Sequence, residues 1–190
     1  MDRIYIEDKQ IGKEDIQNKE LAIADYESCS FNNCDLSNAD LSKRVFLDCE
    51  FTTCNLSSAK LYKAAFKTIK FKDCKLLGLH FEDCDDFLFE VGFENCQLNL
   101  SSFYKMKIKK IRFKNCNLSE VDFIESDLSN AIFDTCDLTG TRFENTILEK
   151  ADLRTSYGYS INPELNKIKK ARFSIHGIAG LLDKYDIEIE

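Results

Sequence analysis

A period of five runs through most of this chain. Bulky apolar residues stand at Leu21, Tyr26, Phe31, Leu36, Leu41, Phe46, Phe51, Leu56, Leu61, Phe66, Phe71, Leu76 and Phe81, and Ile16, Ile11 and Ile6 keep the same step backwards. After a jump of seven the series resumes at Leu88 and Phe93, then runs on through Leu98, Phe103, Ile108 and Phe113 to Leu153. Neither an α-helix, with its repeat of about 3.6, nor a strand, with its repeat of about two, sustains a period of five. A backbone that turns a corner every five residues does.

A second period lies on top of the first. Every fourth unit gives Phe31, Phe51, Phe71, Phe93, Phe113 and Phe133, and the next column gives Leu36, Leu56, Leu76, Leu98, Leu118 and Leu138. Two residues before each of those leucines stands Cys34, Cys54, Cys74, Cys96, Cys116 or Cys136. The structural unit is therefore twenty residues long, with a two-residue insertion between Phe81 and Leu88. The pattern predicts an all-β solenoid, a right-handed quadrilateral β-helix in which each residue stacks on its own kind in the next coil. One large residue per side points inward, and so does the smaller residue two before it. Hydrogen-bonded coils lie about 4.8 Å apart, so the seven and a half coils of residues 6–155 predict a rod of roughly 36 Å.

The motifs that carry the pattern are CDLSNADLSKRVF (34–46), CNLSSAKLYKAAF (54–66), CNLSEVDFIESDLSNAIF (116–133) and CDLTGTRF (136–143). They resemble the A(D/N)LXX repeat of the pentapeptide-repeat family over about residues 6–173. The organisation expected is a β-helix over 1–156 and a C-terminal segment over 157–190. In that segment, residues 157–170 leave the pattern and read as a loop, with Tyr157-Gly158-Tyr159 and Asn162-Pro163-Glu164 as turn signals. Phe173 restores the register, twenty after Leu153. Ser174 then precedes a short helix with Ile175, Ile178, Leu181, Leu182 and Tyr185 on one face. The open end of a solenoid needs covering. The helix is read either as a cap or, given its large apolar side, as the joint of a homodimer.

Chemistry is not expected. His80 and His176 each stand apart from a nucleophile, Gly-rich phosphate loops are missing, and the carboxylates fall on regular outer faces. The cysteine column sits at the small inward position, where Cys acts as a compact hydrophobe, and CxxC spacing is absent. No enzyme, cofactor or metal site is therefore expected. No charged start with an apolar stretch behind it is visible, no apolar run spans a bilayer, and nine cysteines make an odd number. These features point to a reducing, cytoplasmic setting with free thiols and no membrane partner.

Charge is unevenly spread. Residues 7–50 carry a net of −6, residues 51–115 a net of +5, and residues 116–153 a net of −7. Lys72, Glu94, Lys114, Asp134 and Arg154 form one outward column of alternating sign. With a net charge of −7 overall and no aromatic platform beside the lysines, direct nucleic-acid binding is not the favoured reading. The acidic block comprises Glu120, Asp122, Glu125, Asp127, Asp134, Asp137, Glu144, Glu149 and Asp152. The tail resembles that of the quinolone-resistance (Qnr-type) members of the family. That resemblance implies dimerisation through the C-terminal segment and mimicry of DNA toward a type II topoisomerase, DNA gyrase or topoisomerase IV. About 36 Å of B-DNA carries about 21 charges, so any mimicry here is local to that block. In place of the long loops of Qnr-type proteins the chain has only the bulge around Asp85, Asp86 and Phe87. Val45, Leu47, Phe87, Phe89 and Ile147 are expected as an outward apolar strip beside it, a surface for a protein partner of another kind.

Overall fold

The structure, a computed structural model, describes residues 4–16 and 20–188. It is a parallel β-solenoid with four faces, designated here by their inward columns: face A by Leu36, face B by Leu41, face C by Phe46 and face D by Phe51. Face C carries the strands Ile4–Glu7, Ala24–Glu27, Val45–Leu47 and Ala65–Lys67 in one parallel sheet. On face D a seven-stranded parallel sheet runs from Gln10–Ile11 to Ile132–Asp134. Faces A and B are joined by isolated parallel bridges, such as Asp35 to Asn55 and Asp122 to Arg142.

Two local devices explain why five residues make a side. The residue two after most inward centres lies in the left-handed region, for example Asn38 (φ 58°), Thr53 (φ 55°) and Lys105 (φ 60°). For a non-glycine residue this region costs roughly 1–2 kcal/mol. It is held here by the ladder, as when Asn38 N–H donates to Ser57 O at 2.9 Å. The Asp or Asn before the centre caps the same turn. Asp35 Oδ1 accepts from Ser37 N–H (3.1 Å) and Asp127 Oδ1 from Ser129 N–H (3.0 Å), which is the physical meaning of the D/N in the motif.

The lumen is apolar and layered. The Phe column of face D stacks from Phe31 to Phe133 with ring centroids 4.4–5.4 Å apart. A second aromatic column is edge-on to it throughout. It lies on face C for Tyr26, Phe46 and Phe66, and on face B for Phe81, Phe103, Phe123 and Phe143. The small inward positions are not all small. Arg44 is buried in that place on face C, and its Nε donates to Leu21 O (3.0 Å) and Ala22 O (3.1 Å).

Three expectations are corrected. The bridge from Ala65 to Asp85 and the pairing of Ile69 with Val91 place the extra two residues between Asp85 and Val91, after Asp86. Leu88 is accordingly not an inward centre. It is 63% exposed with φ 60°, a corner residue. The segment 157–170 is not simply a loop. Tyr157 bridges to Asp137, Lys167 to Ile147 and Arg172 to Asp152, so the coil continues where the sequence pattern lapses. The C-terminal helix is short as expected but winds as 3-10 turns, Ile175–Leu181 and Asp183–Tyr185. Ser174 caps it by accepting from Gly177 N–H at 3.1 Å. The glycines that weaken the helix are what let it dock. A Cβ on Gly177 would stand 2.0 Å from the Tyr159 hydroxyl, and one on Gly180 2.0 Å from Tyr159 O.

Candidate functional site

All nine cysteines are free thiols, and Cys84 alone is only partly buried. The column on face A does more than fill space. Cys54 Sγ accepts from Cys34 N–H (3.4 Å) and donates to Phe31 O (3.3 Å), and Cys74 repeats the arrangement one coil on with Cys54 N–H and Phe51 O. Ser156 takes over the task for Cys136 N–H and Phe133 O, and on face C Thr146 and Asn166 bond the matching carbonyls of Phe123 and Phe143. At these corners a polar inward side chain thus satisfies one backbone N–H and one C=O. Burial pushes the Cys49 thiol up to about 12 and raises that of Cys84, which keeps both protonated. Among the described residues no group of three or more His, Cys, Asp or Glu converges to hold a metal ion.

The acidic block is distributed around the rod, not gathered on one side. Asp127 and Glu149 lie on face C, Asp134 and Asp152 on face D, and the other five on the adjacent faces A and B. On faces C and D cations intervene. Lys109 reaches Asp127 (3.2 Å), Arg154 and Arg172 reach Asp152 (2.8 and 3.6 Å), and Asp134 stands in register beside Lys114. Hydrogen bonds from Arg154 hold the Asp152 carboxyl below the usual range. On faces A and B, Asp122 pairs with Arg142 (3.2 Å) and Glu125 with Lys105 (3.5 Å). Glu120, Asp137 and Glu144 have no cation within ion-pair distance among the described residues. Three carboxylates without an ion pair therefore lie along the A–B edge of the last coils, while Glu149 on face C and Asp134 on face D also stand outside ion-pair distance of a cation among the described residues.

The bulge differs from its sequence reading. Asp85, Asp86 and Phe87 are exposed, Phe87 by 66%, and Lys67 Nζ sits 5.2 Å from the Phe87 ring centre. Phe89, expected outward, folds back. It is half-buried against the core and meets Phe81 edge-on at 6.3 Å. The apolar strip is not continuous either, because Lys107 and Asp127 separate the bulge from Ile147 along face C. The sequence did carry a signal for this. Cys84-Asp85 repeats Cys34-Asp35, so the register runs through Asp86 before the chain bulges.

Of the C-terminal apolar residues, Ile175 (77%), Ile178 (42%) and Tyr185 (53%) are exposed and Leu182 is partly so. Leu181 is buried in the chain's own core, where Ile161 N–H bonds Gly180 O beside it, and so offers no surface to a partner.

Two adjoining segments, 24–86 and 87–157, match the family profile described as "Pentapeptide repeat region". The chain belongs to the pentapeptide-repeat family. The two matches meet at Asp86 and Phe87, in the bulge itself. A comparison with curated protein sequences returns no significant match. Among solved structures the chain is similar to full-length QnrB1, a plasmid-mediated fluoroquinolone resistance protein, with a TM-score of 0.53 and 17% identity over 97% of this chain and 98% of that one. It also resembles HetL, a pentapeptide-repeat protein involved in heterocyst differentiation regulation from the cyanobacterium Nostoc, with a TM-score of 0.43 and 12% identity over 83% of this chain and 89% of that one. These likenesses concern the fold. No helix among the described residues is long and apolar enough to cross a membrane.

Proposed function

We propose that this pentapeptide-repeat rod is a non-enzymatic protein-binding module that presents its acidic A–B edge to the DNA-binding surface of a type II topoisomerase, DNA gyrase or topoisomerase IV. The observation that carries the reading is the line of Glu120, Asp137 and Glu144, uncompensated on two adjacent faces and flanked by Asp122 and Glu125. Successive coils repeat at about 4.8 Å against one charge per about 1.7 Å along B-DNA, so such an edge offers a sparser, local line of negative charge to a phosphate-binding saddle. The fold shared with QnrB1, a fluoroquinolone resistance protein by its description, supports the same direction. A homodimer joined through Ile175, Ile178, Leu182 and Tyr185 would bring two such edges to its centre.

A gyrase supercoiling assay tests the reading. The expected result is inhibition of supercoiling, or relief from ciprofloxacin, at micromolar protein, weakened about tenfold by the pair Glu120→Lys and Glu144→Lys. Neither inhibition nor relief from the wild-type protein would end it. Light scattering coupled to size exclusion checks the joint: a dimer is expected that Ile178→Asp converts to monomer.

A further inference from the structure

The wall of the solenoid is broken at the bulge. On face C the chain of bridges runs through Asp25, Val45, Ala65 and Asp85, then resumes only at Lys107, Asp127, Ile147 and Lys167. Among the described residues no bridge joins Asp85 to Lys107, and no backbone hydrogen bond joins residues 85–90 to residues 105–110. Every neighbouring coil makes both. The corner between faces C and D opens there into a groove of about 670 Å³, within the range of a ligand site.

The lining of that groove is specific in character. In the inward column that holds Cys49 on one side and Ala131 on the other, the groove coils carry Ile69, Val91 and Ile111. Their side chains are buried in the lumen, so the apolar surface of the groove comes from the exposed Leu88 and the part-buried Leu47 and Phe89. Beside it stand Lys70, Lys110 and Arg112, all exposed and without an acidic partner among the described residues, while Glu90 is the one acid on the lining. Lys70 and Arg112 flank Gly92 in register, and a Cβ there would meet nothing within 4 Å.

We propose that this opened wall is a docking groove for an extended segment of a partner protein in which carboxylates alternate with aliphatic side chains. An unpaired ladder edge accepts a strand through main-chain hydrogen bonds, and alternate side chains then supply specificity. Aliphatic side chains of the segment meet Leu47, Leu88 and Phe89, and its carboxylates meet the three free cations. Single-stranded nucleic acid fits less well, because its bases stack on open aromatic faces and the one ring on the lining, Phe89, is half-buried and edge-on against Phe81. The proposal stands apart from the topoisomerase reading, since its residues lie on the opposite edge of the rod.

Fluorescence anisotropy with a labelled nonapeptide alternating glutamate and valine tests it, with the lysine–valine counterpart and oligothymidine as comparison probes. The full-length protein is expected to bind the glutamate peptide alone. Gly92→Trp fills the groove, and the pair Lys70→Glu and Arg112→Glu reverses its charge; each is expected to weaken binding about tenfold or more. Unchanged thermal melting shows that a variant is folded, and the charge reversal carries the test if Gly92→Trp is not. No binding of the glutamate peptide by wild type overturns the proposal. So does equal binding by the folded variants, or preference for either comparison probe.

Discussion

The coils before the bulge and the coils after it solve the same packing problem in two ways. Before it, face B carries Leu21, Leu41 and Leu61 inward while face C carries Tyr26, Phe46 and Phe66. After it, face B carries Phe103, Phe123 and Phe143 while face C carries Ile108, Leu128 and Leu148. From Phe31 to Phe133 the full coils on either side of the bulge keep two rings and two aliphatics, face D supplying one ring in each, with Ile11 and Leu153 flanking that run of rings. The lumen therefore conserves volume but not placement, as close-packed interiors require. The exchange falls in one coil. There Phe81 already holds the ring on face B, a further ring centred on face C would overfill the layer, and that slot falls to the exposed Asp86 while Phe89 folds in from the side. The bulge is the seam between two packings, and the opened wall is its consequence.

The largest effect should come from deleting a ring. Phe123→Ala, buried and stacked on Phe103 (5.2 Å) and Phe143 (5.5 Å), is expected to cost about 3–5 kcal/mol in urea unfolding, and Phe46→Ala about as much. Moving a ring sharpens the comparison. Phe123→Leu with Leu128→Phe strands the ring between coils that keep theirs on face B, at a cost of about 1–3 kcal/mol. Leu61→Phe with Phe66→Leu only shifts the seam by one coil, since Phe81 waits on face B, and should cost under about 1.5 kcal/mol. Equal costs for the two pairs would break the account of the bulge as a seam.

Acid should weaken both halves, through turn-capping carboxylates. Hydrogen bonds from Ser42 hold Asp40 low, and hydrogen bonds from Arg154 hold Asp152 low. Because their folded pKa values lie below the unfolded value of about 3.9, their contribution is present above that pH and is lost as pH falls through the folded value. Asp152→Asn should therefore flatten the melting-temperature change between about pH 6 and pH 3. The smallest effect expected is at the bulge corner. Thr68 is β-branched at φ 57°, and Thr68→Asn should raise stability by about 0.5 kcal/mol in the same urea experiment.

The sequence by itself determined the solenoid, its four faces, the inward cysteine column and the alternating charge ladder from Lys72 to Asp134, because stacking in register repeats every twenty residues and leaves a periodic record. It also showed that Ser174 would cap the last helix. What it did not determine lies where the record is interrupted. Leu88 is apolar and falls at a centre of the sequence pattern, yet the backbone hydrogen bonds of Asp85 and Val91 to the coil below put it at a corner. The acids of 116–153 are close in sequence, but wrapping five residues per side sends them to all four faces, where Lys109 and Arg172 from neighbouring coils and Arg154 from the same coil pair with Asp127 and Asp152, while Glu120, Asp137 and Glu144 stay unpaired. Residues 157–170 lost the motif but kept the ladder, since backbone pairing does not need the side chains that advertise it. Only the tertiary structure decided those points, because each depends on which coil lies above or below.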